Sequence, residues 1–354
     1  MKKPKILLIG YGGTISMVVR DNKVVPAENI REIMALLPRI SELAEIDMDA
    51  LSNKDSTNVN HLDWTRIAQH ITGAMERYDG FLITHGTNAM AYTASALSLA
   101  LGRGLKKPVV LTGSQLPLTV YGNDARFNFE NAVKVLVRAC EEHIAEVMVV
   151  FDDFVLRGGR TVKVSESSFR AFFSPAFSPV GDITSSGVSF NYHAYHRDEK
   201  APFELKPNFS GRIMSVDLTP GQLPDLFEAI ISSRKCGGII LKSHGAGSVP
   251  TEGPYNFIPF IKETVQKYHL PVIISTKFLG GNPFKEVNDE CAVLALEAGA
   301  IPSGDMTDVM TEVKLMWIMA QGIRDTAAVR KAILSDYAGE ITSEKVRAFA
   351  ERAR

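Results

Sequence analysis

Four short apolar runs in the first half of the chain, alternating with amphipathic stretches, constrain the fold more than any other feature. Lys5–Ile9, Gly80–Thr84, Val109–Thr112 and Glu146–Phe151 read as buried strands, and Ala27–Leu37, His61–Arg77, Met90–Arg103 and Ala125–His143 as helices. Strands alternating with helices form βαβ units and hence a mostly parallel sheet. The pattern stops in residues 191–211, where Tyr192-His193-Ala194-Tyr195-His196 and Lys206-Pro207-Asn208 make a polar, aromatic and Pro-containing stretch that reads as an interdomain linker. It restarts with strands Arg212–Val216, Gly237–Leu241 and Pro271–Ile274 around helices Leu223–Ser232 and Ile258–His269, then closes with helical segments Met306–Gln321, Asp325–Tyr337 and Thr342–Arg354. The expected class is α/β: a larger N-terminal parallel-sheet three-layer domain over residues 1–190 and a smaller C-terminal α/β domain over residues 212–354. A chain of 354 residues is long enough for both cores.

Composition excludes several functions. With 22% charged residues and a formal net charge of -1, nothing implies a basic face, so nucleic acid and anionic membrane are not expected partners. The apolar run Ile6–Ile9 is too short for a signal segment and has no small-residue cleavage site after it, so it reads as the first strand. Cys140, Cys236 and Cys291 are odd in number and widely spaced, which fits reduced thiols in a cytoplasmic protein.

Chemistry is expected where strands end. Thr84-His85-Gly86-Thr87-Asn88-Ala89-Met90 follows a buried strand and opens a helix, so Thr87 falls at the carboxyl edge of the sheet, where open α/β folds bind ligands. Gly10-Tyr11-Gly12-Gly13-Thr14-Ile15 follows the first strand. Its third fingerprint position is Ile15 rather than glycine, so a dinucleotide is not indicated. Thr14 reads equally as a functional hydroxyl or as a helix-capping residue. Asp55-Ser56-Thr57-Asn58 is a hydroxyl-rich turn whose bland reading is an Asx turn. Lys163 follows a Gly158-Gly159 kink; alone it reads as a solvated charge, but burial would lower its pKa enough for it to act as a base. His193 and His196 are spaced i, i+3 without a convincing third ligand, so no metal is expected there.

Taken together, the segments resemble the bacterial-type L-asparaginase family, particularly its cytoplasmic type I branch. The family's GGTI turn, DSS-like turn, HGTDTMAYTASALS segment, TGSQ-P segment and RG-R--K segment followed by AF-SP correspond to Gly12–Ile15, Asp55–Thr57, His85–Ser98, Thr112–Pro117, Arg157–Lys163 and Ala171–Pro175. The resemblance covers nearly the whole chain and implies hydrolysis of a small-molecule amide without metal or organic cofactor, in a homodimer or homotetramer. It further implies that Thr14 is the nucleophile, that Thr87 and Lys163 are the pair that activates a hydroxyl or water, that Ser56 and Thr57 contact the substrate's carboxylate end, and that Ser114 lies near the scissile amide.

Two departures concern substrate recognition. The family's Asp after the catalytic Thr, which faces the substrate's α-ammonium, is Asn88 here, an amide of the same shape without the charge. The family's mobile-loop Tyr falls at Val24, two residues before Pro26, and Tyr11 is the nearest substitute in sequence. The expected function is therefore an amidohydrolase acting on asparagine or on a carboxamide that lacks the α-ammonium, with ammonia released. The competing expectation is a catalytically silent ligand-binding protein that kept the fold.

Overall fold

The computed structural model describes residues 3–20, 23–26, 30–191, 200–279 and 290–342. The chain divides into two compact units, Met1–Pro207 and Asn208–Arg354. The first is built on an eight-stranded sheet with the order Gly187–Phe190, Gly181–Thr184, Phe154–Arg157, Val147–Phe151, Val109–Thr112, Gly80–His85, Lys5–Tyr11 and Glu45–Ser52. The five strands from Val147–Phe151 to Glu45–Ser52 pair in parallel, and the other three extend the sheet antiparallel.

Side-chain alternation gives this sheet two buried faces. Ile6, Leu8, Leu82, Val110 and Met148 share a core cluster with Phe129, Val133 and Leu136 of the helix Ala125–Glu141. Leu7, Ile9, Phe81, Ile83 and Leu111 point to the opposite face and are equally buried, beneath the helices His61–Ala74 and Met90–Leu101. The helix Met90–Leu101 is buried on nearly every side, as its many small and apolar residues allow, and Thr93, Ser95 and Ser98 are buried with them. The helix His61–Ala74 starts at a capping box in which the Asn60 side chain accepts from Leu62 N–H and Asp63 reaches back to Asn60 N–H.

The second unit carries a parallel sheet ordered Met214–Asp217, Ile239–Ser243, Val272–Thr276 and Ile301–Pro302, with its own core around Phe257, Ile261, Ile274 and Leu296. Its two longest described helices are Phe257–Gln266 and Asp308–Ala320. The expected helix Leu223–Ser232 is split into a 3-10 turn, Pro224–Phe227, and a short α-helix, Glu228–Ser232. Residues 192–199 of the expected linker and all but the first residue of the expected last helix lie outside the described residues. From Ala201 to Pro207 the chain packs on the first unit: Lys206 N–H donates to Ala100 O, and Thr65 Oγ1 donates to Pro207 O. Among the described residues no helix is long and apolar enough to cross a membrane.

Candidate active site

Four neighbouring parallel strands, ending at Thr112, His85, Tyr11 and Ser52, release their turns at one edge of the sheet. Those turns carry Ser114, Thr87, Thr14 and Ser56, so parallel pairing alone gathers residues separated by up to a hundred positions in sequence. Glycines let the turns touch. Gly13 has φ +87°, and a Cβ built on it would stand 2.4 Å from Gly86 N, so the Thr14 turn lies backbone to backbone against the Thr87 turn. A Cβ on Gly86 would stand 2.6 Å from Ser56 Oγ, and one on Gly113 would stand 2.5 Å from His85 O and 3.4 Å from Thr87 Cγ2.

Lys163 closes the group. It sits on a two-residue strand, Val162–Lys163, paired antiparallel with Phe172–Phe173. Its Nζ donates to Thr87 Oγ1 at 2.9 Å and to Asn88 Oδ1 at 2.8 Å. Burial lowers the pKa of Lys163, while the nearby Glu166 acts in the opposite direction. Asn88 Nδ2 donates to Thr57 Oγ1 at 3.2 Å, so the amide is oriented with its oxygen toward the lysine and its NH2 toward the Ser56–Thr57 turn. Both hydrogen-bond acceptors of Lys163 are neutral oxygens. This half-buried lysine can therefore exchange a proton with the Thr87 hydroxyl, as hydroxyl activation requires.

All seven anticipated residues thus fall in touching segments, each with its own surroundings. Thr14 opens a 3-10 turn, Thr14–Ser16, whose cap is Gly13, so its side chain is not a helix cap. Ser56 is buried against Gly86. Thr57 N–H donates to Asp55 Oδ1, the Asx turn of the bland reading, and Thr57 still reaches Asn88 through its hydroxyl. The Ser114 hydroxyl donates to Leu116 O at 2.7 Å and so is engaged within its own loop. Val24 pairs with Val19 in the hairpin Met17–Arg20/Lys23–Pro26. Tyr11 does not stand in for the loop Tyr: it is fully buried, and its hydroxyl donates to Asp63 Oδ1 at 2.7 Å.

Other supports escape sequence reasoning. Asp124 accepts from the N–H groups of Gln115 and Leu116, while Asn128 donates to both Gly113 O and Asp124 Oδ2, so the loop after Thr112 is held from the helix below it. Spacing of i, i+4 on the buried face of an amphipathic helix is the available signal. His85 is buried and its pKa is pushed down to about 4 by burial, so the ring is neutral. Nδ1–H then donates to Gly86 O at 2.8 Å, and Nε2 accepts from Thr93 Oγ1 at 3.0 Å. Among the described residues no three His, Cys, Asp or Glu side chains gather as a metal site would need; His193 and His196 lie outside them.

A family model for the asparaginase N-terminal domain matches residues 5–196, and one for the glutaminase/asparaginase C-terminal domain matches residues 212–333. The chain belongs to the asparaginase family. It is 34% identical to an L-asparaginase of Thermococcus kodakarensis, over 96% of this chain and 99% of that one, and 31% identical to L-asparaginase 1 of Escherichia coli K12, over 97% and 100%. It is also 31% identical to a component of the glutamyl-tRNA(Gln) amidotransferase of Aeropyrum pernix, over 97% of this chain and 80% of that one. Among solved structures, the T. kodakarensis L-asparaginase superposes with TM-score 0.85 at 32% identity over 96% of this chain and 99% of that one. L-asparaginase I of Vibrio cholerae superposes with TM-score 0.84 at 26% identity over 96% and 100%. The α/β fold is that of the asparaginases, and the protein is an asparaginase-like amidohydrolase.

Proposed function

We propose that this amidohydrolase cleaves a small carboxamide with Thr14 as nucleophile and Thr87–Lys163 as the activating pair. The observation that carries the reading is the contact of Lys163 Nζ with Thr87 Oγ1 at 2.9 Å, on a turn in backbone contact with the one that bears Thr14. In this reading Thr14 Oγ attacks the amide carbon while its proton passes by way of Thr87 to the neutral amine of Lys163. N–H groups of the Thr87 and Ser114 turns face the developing oxyanion. Collapse breaks the C–N bond; the lysine proton goes to the departing nitrogen, which leaves as ammonia. Water then cleaves the Thr14 ester and gives the carboxylic acid. Ser56 and Thr57 bind the substrate's far carboxylate.

Asn88 shapes the substrate. It contributes an amide where the resemblance calls for a carboxylate, and Lys163 beside it is a base, so a substrate's α-ammonium meets no negative charge among these contacts. The reading therefore favours a carboxamide without that group, such as succinamate, over asparagine. It carries with it the homodimer or homotetramer that the resemblance implies, testable by sedimentation, and a cytoplasmic location consistent with three free cysteines. The test is ammonia release from asparagine and succinamate by the unaltered protein, Thr14→Ala and Lys163→Met. Loss of the base is expected to lower kcat by roughly 10²–10⁴-fold. Turnover that survives Thr14→Ala would reject the nucleophile, and tight amide binding without turnover by the unaltered protein would favour a silent binding protein.

A further inference from the structure

Beneath the turns that bear Thr14, Ser56 and Thr87 lies a polar chain that the proposed chemistry does not use, with Tyr11, Asp63 and His85 buried and Lys54 half-buried. Lys54 Nζ donates to both oxygens of Asp63, at 2.7 and 2.8 Å, and Asp63 also accepts from the Tyr11 hydroxyl and from Asn60 N–H at 2.8 Å. The Tyr11 ring stacks on His85, with centroids 5.9 Å apart and planes 8° from parallel. Each member stands at the root of a different turn: Tyr11 before Gly12–Thr14, Lys54 before Asp55–Thr57, and His85 before Gly86–Asn88. Asp63 lies in the first turn of the helix His61–Ala74 and joins them. At Gly12 an added Cβ would stand 2.3 Å from Lys54 O, so two of the turns meet at the residue whose side chain makes the ion pair.

A helix cap needs only one of these contacts. Satisfying Asn60 N–H uses one carboxylate oxygen, whereas Asp63 also receives a lysine and a phenol from two separate strand ends. We infer that Lys54, Asp63, Tyr11 and His85 are positioning residues, a clamp that fixes the spacing between the turns bearing Thr14, Thr87 and Ser56–Thr57. The inference rests on the reading of those turns as the catalytic site. Burial opposes ionisation of Asp63, but Lys54, Tyr11 and Asn60 N–H outweigh it and hold the carboxyl below its usual range. Burial and Asp63 push the Tyr11 phenol up, so it stays a neutral donor.

Two variants test the clamp. Tyr11→Phe keeps the stacking and removes the hydroxyl, while Lys54→Met keeps the stem and removes the ammonium. Both are first shown to be folded by circular dichroism and thermal melting. With succinamate or asparagine as substrate, Tyr11→Phe, on the nucleophile's turn, should lower kcat roughly 10–100-fold with little change in KM. Lys54→Met, on the substrate-binding turn, should chiefly raise KM, and Lys54→Arg should recover most of that loss. Because both act through Asp63, the double variant should lose less than the product of the single effects. Folded variants whose kcat and KM stay within about twofold of the unaltered protein, against the roughly 10²-fold that a 1 Å misplacement can cost, would overturn the clamp, as would effects confined to melting temperature.

Amide hydrogen exchange gives a readout that needs no turnover. In each variant, exchange should quicken in both Gly12–Ile15 and Ser56–Asn58; a change confined to the mutated residue's own turn would overturn the inference. If the unaltered protein releases ammonia from no amide, the catalytic reading falls while exchange still decides the clamp.

Discussion

In the proposed site Asn88 makes two contacts through which a charge at this position would be felt. Its oxygen takes a hydrogen bond from Lys163 and its NH2 gives one to Thr57, so replacing it with Asp would put a carboxylate of equal shape 2.8 Å from the ammonium in place of a neutral acceptor. Lys163 already has its pKa lowered by burial, with Glu166 opposing, and only its neutral form can take a proton. Turnover should therefore rise with pH as Lys163 deprotonates. Asn88→Asp favours the charged form, so the rising limb of kcat/KM should move to higher pH, and asparagine should gain on succinamate because its ammonium now meets an anion. A pH–rate profile for each substrate checks both. A limb that does not move would show that Lys163 is not the titrating group. The sign also holds for stability: with a folded pKa below the ordinary lysine value of 10.5, the folded chain binds fewer protons across that window, so this lysine's contribution grows as pH rises, and less so in Asn88→Asp.

The turns make their own demand on the chain. Gly13 has φ +87° and no room for a side chain, because the obstacle at 2.4 Å is the backbone of Gly86 rather than a movable side chain. Gly13→Ala should cost about 1–3 kcal/mol for the backbone conformation alone, and turnover should fall by roughly 10² or more as the Thr14 turn is displaced. Gly73 is the opposite case: it lies within the helix His61–Ala74 with nothing near its missing Cβ, so Gly73→Ala should stabilise by roughly 0.5–1 kcal/mol. Denaturant midpoints and ammonia release distinguish the two; equal shifts would mean that the Gly13–Gly86 contact yields freely. These turns are legible in sequence because each of the three that follow Lys5–Ile9, Gly80–Thr84 and Val109–Thr112 ends an apolar run that reads as a parallel strand. The strand Glu45–Ser52 is not, although Ile46, Met48 and Ala50 alternate with Glu45, Asp47 and Asp49, since a half-exposed edge strand lacks the continuous apolar run of its neighbours. The antiparallel strands Phe154–Arg157, Gly181–Thr184 and Gly187–Phe190 are only four residues each, too short for periodicity to register. The Lys54–Asp63–Tyr11 chain is illegible for another reason: nothing in sequence says that residues 11 and 52 are neighbours until strand order is known.

Every named residue of the candidate site belongs to the first unit, and the second has a core of its own. Its most exacting contact is the ion pair of Lys314 with Glu340 at 2.6 Å, both side chains fully buried. Lys314 Nζ also donates to Ile333 O and Ser335 O, and Glu340 accepts from the N–H groups of Tyr337 and Ala338, so the pair fixes the segment after the helix Thr326–Ile333 onto the helix Asp308–Ala320. Burial alone would raise the Glu340 pKa, but Lys314 and the hydrogen bonds outweigh it and hold the carboxyl well below the usual range. A carboxyl depressed in the folded state adds stability that is present above its unfolded pKa and lost as pH falls through the folded one. Lys314→Met should cost about 3–5 kcal/mol at neutral pH, because it leaves a buried carboxylate without its cation. The sign then reverses. Without the lysine, burial raises the Glu340 pKa, the folded chain binds its proton more readily than the unfolded one, and acidification relieves the penalty. The deficit of Lys314→Met relative to the unaltered protein should therefore shrink between about pH 7 and pH 5, and the double variant Lys314→Met/Glu340→Gln should recover part of the loss at neutral pH. Urea unfolding across that range decides the matter: a deficit that stays constant or grows on acidification would show that the lost stability comes from the packing of the lysine stem and not from the stranded charge.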